Sequence, residues 1–278
     1  MLNDMTLKIS AVAIAAVGTM GMLTTLSFVQ EAEAYACNLN YERGLRLPSR
    51  SMSFQVKLGI CLSYYNDREC LRRLLQSLKP PPHNYKQNVT LIAIDGRYRG
   101  YDESKPDVSE YRRSTDGSYQ LVEQYAKKFP TVNTITPVTL DEREKRQKCV
   151  DIASTLGCDF IFIIESDEWF EVLYWEKLLS ELDCILKSEA NVMDNVFTVH
   201  CVDVGNEQPQ YRERLWYILG LMKYKGWHWK FNIRREVRQF SSNIVQIWHD
   251  PEGCRSAERQ ALQRDYESRL GYLEDLHV

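Results

Sequence analysis

The chain has 278 residues, 44% of them apolar, enough for one sizeable α/β domain with appendages. Its 35 basic and 38 acidic side chains leave a net charge of −3. They are interspersed, which excludes a charged tail and the basic footprint of a nucleic-acid binder, so no nucleic-acid partner is expected.

Residues Ile9 to Val29 form an uncharged run between Lys8 and the acids Glu31 and Glu33, and Ala34-Tyr35-Ala36 has the form of a cleavage site. Residues 1–36 therefore read as a signal peptide, a membrane anchor through 9–29, or a non-native extension if Met52 is the start. The expected location is cytoplasmic or membrane-associated, with export left open by this segment. Residues 37–53 are a polar linker. Residues 54–278 form one domain, with a nucleotide half to about 170 and a second half beyond it.

Val56–Ser63 is an apolar strand, and Asp67–Leu78 a helix with Leu71, Leu74, Leu75 and Leu78 at helical spacing, stopped by Pro80-Pro81-Pro82. Asp67 suits the free N–H groups at that helix start. Val89–Ile94 is a second strand, ending on Asp95-Gly96. It begins within Asn88-Val89-Thr90, which has the form of a glycosylation acceptor but reads as the strand's opening. Residues 97–116 read as a long loop. Tyr119–Phe129 is a helix, Val132–Val138 a short strand, and Leu140–Leu156 a helix carrying Arg143, Lys145, Arg146 and Lys148. Phe160–Ile164 is an apolar strand that runs into Glu165, Asp167 and Glu168. Trp175–Leu186 is helical and Asn195–Val204 a strand. Residues 214–231 are aromatic-rich and irregular. Ile244–Trp248 is a last strand ending on His249, and Ser256–Leu276 a charged helix. Strand–helix alternation through about residue 170 predicts right-handed crossovers and a mostly parallel sheet.

The eight cysteines form no C-x-x-C pair, which argues against a zinc knuckle. Cys61, Cys158 and Cys201 lie in or beside apolar runs, where cysteine behaves as a small hydrophobe. Reduced thiols are the expected state, with one or more disulfides as the alternative.

In open α/β sheets the ligand crevice lies at the carboxyl ends of the strands. Glu165, Asp167 and Glu168 at such an end suggest a hard cation that in turn holds a phosphate. The competing reading is a helix start, with Ser166 or Asp167 as its cap and Glu168 in its first turn. Asp95 neighbours the first strand if the order is 2-1-3 or 3-2-1, where it can accept from a nucleobase or ribose; otherwise it is a turn residue. Tyr65 offers a face for a base or packs at the core edge. His249 is a nitrogen ligand for a metal or an ordinary hydrogen-bonded histidine. His228, between Trp227 and Trp229, is a packed aromatic or a further site residue.

These pieces resemble the family 2 glycosyltransferases of the GT-A fold. I-C-L-S-Y-Y-N-D-R-E-C-L-R-R-L-L-Q-S-L (60–78) resembles their first strand and helix, V-T-L-I-A-I-D-G (89–96) their second strand, and I-I-E-S-D-E (163–168) their metal motif. R-L-W (214–216), K-Y-K-G-W-H (223–228) and I-W-H (247–249) are similar to later blocks of one subgroup, in which arginines open the final helix; Arg255 and Arg259 would serve here. The chain departs from the family pattern in three places. Glu165 stands for the usual Asp, Cys149 for an amide, and Trp229 for a Glu.

The resemblance implies an α/β, Rossmann-like, mostly parallel central sheet flanked by helices, with an irregular aromatic-rich acceptor half. It implies inverting transfer of a sugar from a nucleotide diphosphate sugar, UDP-sugar favoured, to a glycan, lipid or protein hydroxyl. Glu165, Asp167 and His249 would hold Mg2+ or Mn2+. Tyr65, Asp67, Asp95, Lys148 and Ser166 would hold the nucleotide. Glu168, Glu213 and Glu236 are the candidates for a general base, by proximity alone. Two other classes compete. A metal-dependent nucleotidyltransferase would need a glycine-rich basic loop after the first strand, and Ser63–Arg68 contains no glycine. An exported, non-catalytic binding domain would leave the acids as surface.

Overall fold

The computed structural model describes residues 55–101, 113–136, 139–187, 195–218, 236–250 and 252–269. Four strands, β1 (Leu58–Tyr64), β2 (Val89–Asp95), β3 (Thr131–Ile135) and β4 (Phe160–Glu165), run parallel in the order β3-β2-β1-β4. This is the 3-2-1 order among the alternatives expected, and it sets Tyr64 beside Asp95 and Ser63 beside Glu165.

Both faces of β1 are buried, which is why its sequence is apolar at successive positions. Leu58, Ile60 and Leu62 meet Leu71, Leu74, Leu75 and Leu78 of helix α1 (Arg68–Ser77) and its end. Cys61, Ile92, Ile161 and Ile163 pack on the other face, with Cys149, Val150 and Ala153 of helix α3 (Glu142–Thr155). Helix α2 (Ser118–Ala126) lies between β2 and β3 in sequence and joins the first cluster through Val122. Asp141 starts α3 with a capping box: its carboxylate accepts from Glu144 N at 2.9 Å, and Glu144 Oε2 accepts from Asp141 N at 2.8 Å. Gly157 ends the helix at φ +68°, a conformation that favours glycine.

After β4 the sheet continues with strands β5 (Glu168–Leu173), β6 (Asn195–Asp203), β7 (Asn206–Tyr217), β8 (Glu236–Gln239) and β9 (Val245–His249). Beyond β4 the order is β7-β6-β9-β5, with β8 paired to β6. Helix α4 (Trp175–Lys187) separates β5 from β6, and helix α5 (Ala257–Arg269) follows β9. The described helices include none long and apolar enough to cross a membrane.

Three expectations change. The acids after β4 do not open a helix: Ser166 and Asp167 make a turn, and Glu168 begins β5. The alternation E-W-F-E-V-L suits a strand against β9, with Phe170 packed on Phe162. The second half also holds a regular twelve-residue strand, β7, hairpinned to β6 and paired antiparallel with β4. Its polar sequence hid it, because its buried Arg214 is held by ion pairs and not by apolar packing. Finally, Cys70 and Cys254 form a disulfide and Cys184 is disulfide-bonded as well, while Cys61, Cys149, Cys158 and Cys201 are free thiols. Burial by itself does not separate a thiol from half of a disulfide, so the sequence pattern of Cys70 gave no sign of its bond. The expected strand residues 137 and 138 and the helix residues beyond 269 lie outside the described residues.

Gly59 lies where β1 meets α3. A Cβ there would sit 3.2 Å from Ile92 Cδ1, 3.3 Å from Ala153 Cβ and 3.3 Å from Cys158 Sγ. Gly59→Val is expected to destabilise the domain by about 1–3 kcal/mol through overpacking. Urea unfolding should show a lower midpoint at an unchanged slope.

Candidate functional site

The site forms where β1, β2 and β4 end. Glu165 is the last residue of β4, and Asp167 occupies the turn. β9 runs antiparallel to β5 and sets His249 opposite Glu168. One ligand atom from each of Glu165, Asp167 and His249 lies within 4.8 Å of the other two. A backbone bond from Asp250 N to Asp167 O, 3.1 Å, fixes the turn against β9.

His249 is held between two carboxylates. Its Nδ1 is 2.7 Å from Asp203 Oδ1 at the end of β6, and its Nε2 is 3.4 Å from Asp167 Oδ2. Burial lowers the pKa of the ring, but the bond to Asp167 and the surrounding carboxylates outweigh it and carry the value to about 9. Arg212 holds Asp203 at 2.7 Å.

Two arginines hold Glu165. Arg146 Nη2 of α3 is 3.3 Å from Oε1, and Arg214 Nη2 of β7 is 3.0 Å from Oε2. Burial raises the Glu165 pKa, but Arg214 and then Arg146 more than reverse it, so the carboxyl lies well below the usual range. Arg214 also pairs with Glu168, whose Oε2 accepts from Glu165 N at 2.9 Å. Burial pushes Glu168 up to about 7 against the pull of Arg214. Glu168 thus takes part in building the site.

Asp167 is 3% exposed, and its Oδ1 has no hydrogen-bond partner. Its Oδ2 meets Arg255 Nη2 at 3.0 Å. Burial raises its pKa, and Arg255 and His249 bring it below the usual value. Two carboxylates and one imidazole, with a buried orphan oxygen among them, fit a divalent cation such as Mg2+ or Mn2+.

The nucleotide-side residues are distributed differently from the sequence expectation. Ser166 Oγ donates to Asp67 Oδ2 at 2.8 Å, which joins these two residues to the acidic turn. Asp67 makes no side-chain cap on α1; Asp116 takes that place, accepting from Arg68 N at 2.9 Å. Arg259 Nε reaches Asp67 Oδ1 at 3.3 Å. Asp95 is fully buried, and its two oxygens accept from Ser114 N at 2.9 Å and Ser114 Oγ at 2.6 Å. Burial raises its pKa. Tyr65 is packed edge-on against Tyr101 in a cluster with Tyr98 and Tyr266 of α5, so its face is covered in this structure.

From α3, Lys145 and Arg146 reach these strand ends. The helical turn places Lys145 over the sheet, where Nζ donates to Tyr64 O at 2.8 Å and Gly96 O at 2.6 Å, and burial lowers its pKa to about 8. Arg212 and Arg214, on either side of Glu213 in β7, reach Asp203 and Glu165, and Glu213 pairs with Thr198 at a bulge between β6 and β7. Glu236 begins β8; its side chain lies outside the described residues, as do His228 and Trp229. Sequence reading missed Asp203 and the parts played by Arg146 and Arg214. Arg214 had one signal, a basic residue in an aromatic run; Asp203 had none.

No family model matches the sequence, and no curated protein sequence does. Solved structures to which the chain is similar include S. aureus TarS in complex with UDP-GlcNAc, with TM-score 0.49 and 13% identity over 78% of this chain and 67% of that one. Others are the mannosyltransferase PcManGT of Pyrobaculum calidifontis in complex with GDP-Man and Mn2+, with TM-score 0.32 and 14% identity over 66% and 48%, and a cytidylyltransferase of Leptospira borgpetersenii, with TM-score 0.30 and 15% identity over 52% and 53%. The chain spans between 39% and 67% of the TarS chains.

Arg214→Met removes the partner of two carboxylates, one of them only 1% exposed, and should destabilise the domain by about 3–5 kcal/mol. An acid whose folded pKa is raised costs stability above that pKa and none below its unfolded value. Without Arg214 the Glu168 pKa rises further, so the deficit of the variant relative to wild type should grow from pH 5 to pH 8 as Glu168 loses its proton. Paired urea titrations at the two pH values check this.

Proposed function

We propose that the protein transfers a sugar from a nucleoside diphosphate sugar to an acceptor hydroxyl, with a divalent cation at Glu165, Asp167 and His249. The observation that carries this reading is the convergence of those three ligand atoms within 4.8 Å at the strand ends, with an orphaned Asp167 oxygen among them. The guanidinium groups of Arg255 and Arg259 lie beside the acids, where they can meet a diphosphate.

Each residue then has a task. Asp167 and His249 would be the direct ligands, and Asp203 holds His249 Nδ1, which leaves Nε2 as the nitrogen that would ligate. The proton that His249 carries must leave before Nε2 can ligate. Glu165, engaged by two arginines, balances charge and reaches the cation directly or through water. When bound, the cation neutralises charge developing on the departing diphosphate. Arg255 exchanges Asp167 for a phosphate oxygen, and Arg259 stays on the Tyr65 carbonyl and Asp67. The nucleoside of the donor, uridine favoured, lies toward the ends of β1 and β2. There Asp95 shapes the pocket by fixing Ser114, and Lys145 ties the Tyr64 and Gly96 carbonyls together. Disulfides persist where cellular thiols do not reduce them. The disulfides at Cys70–Cys254 and Cys184 support work outside the reducing cytosol, with residues 9–29 as the membrane anchor.

UDP with Mn2+ should raise the melting temperature more than either alone. Asp167→Asn should remove the Mn2+-dependent increment. A melting temperature indifferent to Mn2+ and UDP, or an Asn variant that responds like wild type, overturns the assignment.

His249→Gln removes a direct ligand and should weaken Mn2+ binding by more than about 10–100-fold, the usual cost of losing only an outer partner of a ligand. Calorimetric titration of Mn2+ into the two proteins measures it.

A further inference from the structure

The start of α5 is tied to the site in two ways. Arg255 pairs with Asp167 at 3.0 Å and lies 3.6 Å from Asp67; Arg259, one turn on, pairs with Asp67 and donates to Tyr65 O at 3.1 Å. The residue before Arg255 is Cys254, bonded to Cys70, and Cys70 is three residues after Asp67. One covalent bond therefore joins the two segments whose side chains form the ion pairs. Both cysteines line an open cavity of about 370 Å³, with Asn66, Asp67, Arg255 and Arg259. Cys70 is buried and Cys254 is partly exposed, so a thiol would approach the bond from the Cys254 side.

Arg255 stands where a metal ion would find competition. Its guanidinium lies on Asp167 Oδ2, the same oxygen that His249 approaches. A divalent cation at Asp167 meets a like charge there at close range, in a buried setting where screening is weak. Were Arg255 on a free chain end, it could retreat. With Cys254 bonded to α1, its backbone stays in place and its effective concentration at Asp167 stays high.

We propose that the Cys70–Cys254 disulfide is a thiol-operated clamp: by holding Arg255 on Asp167, it sets the affinity of the Glu165–Asp167–His249 site for a divalent cation. This rests on the metal reading above. Opening the clamp needs a dithiol reductant of the kind that also works outside the cytosol, a protein dithiol of a thiol–disulfide oxidoreductase. One thiolate of the reductant attacks a sulfur of the disulfide and forms a mixed disulfide; the second thiol displaces the protein thiol. Two electrons and two protons pass to the protein, leaving Cys70 and Cys254 as thiols and the reductant as its own disulfide. Arg255 is then free to leave Asp167, and the cation binds more tightly. Linkage makes the effect reciprocal, so the cation makes the disulfide easier to reduce by the same factor.

The test uses the full chain and Mn2+ alone, titrated by calorimetry into oxidised protein, into protein reduced with dithiothreitol that is then removed without air, and into Cys254→Ser. Cys254→Ser leaves the disulfide at Cys184 intact and isolates the one bond. Reduced protein and Cys254→Ser should bind Mn2+ about tenfold more tightly than oxidised wild type, within the usual range of couplings between sites. Arg255→Met should bind tightly when oxidised and gain nothing on reduction. Equal affinity in the oxidised and reduced forms overturns the clamp while leaving the metal site standing. So does an Arg255→Met variant that keeps the full redox response. No Mn2+ binding in any form overturns the metal reading, and the clamp with it. Should Cys254→Ser fail to fold, stepwise reduction of the wild type, with the state of Cys184 followed by mass spectrometry, carries the same comparison.

Discussion

The structure turns on neutralising a group of carboxylates buried together at the ends of parallel strands. Asp67, Asp95, Asp167 and Glu168 are all buried, and Glu165 lies among them. Breaking a buried ion pair by removing one partner costs about 3–5 kcal/mol, so each acid needs a cation or donor. Those partners come from every part of the chain: Arg146 from α3, Arg214 from β7, His249 from β9, and Arg255 and Arg259 from the opening of α5. The second half of the sequence folds onto the first where it carries the charges that the first half lacks.

That constraint accounts for the odd strands. β7 is a polar strand inserted next to the apolar β4, and it delivers Arg214 to Glu165 and Glu168. β9 lies between β6 and β5, which sets His249 between Asp203 and Asp167. The same geometry leaves Asp167 Oδ1 without a partner. A buried carboxylate oxygen left without a hydrogen-bond partner calls for an explanation, and a ligand at that oxygen supplies one.

The disulfide belongs to the same arrangement. α5 presents a polar sequence and packs through Tyr266 in a cluster with Tyr65, Tyr98 and Tyr101, which follow the ends of β1 and β2. Its first turn is held by ion pairs to acids and by the bond from Cys254 to Cys70. Covalent attachment supplies what a charged helix cannot obtain from apolar burial.

The sequence by itself determined the parallel half and the centre of the site. β1, β2 and β4 are apolar at successive positions because both faces are covered, and helix α1 shows its leucines at helical spacing; both patterns are local. Acids at the end of β4 and a histidine at the end of β9 were legible for the same reason, since a strand that stops on a charge can be read within ten residues. Only the tertiary structure decided which cations answer those acids. α3 brings Lys145 and Arg146 to the strand ends, β7 brings Arg214 to Glu165, and packing with Tyr101 and Tyr266 buries Tyr65. It also decided that the acids begin a strand and not a helix, because the partner that makes Glu168–Leu173 a strand is β9, some seventy residues on. Pairings over such distances depend on which surfaces meet when the chain closes, and no local pattern encodes them.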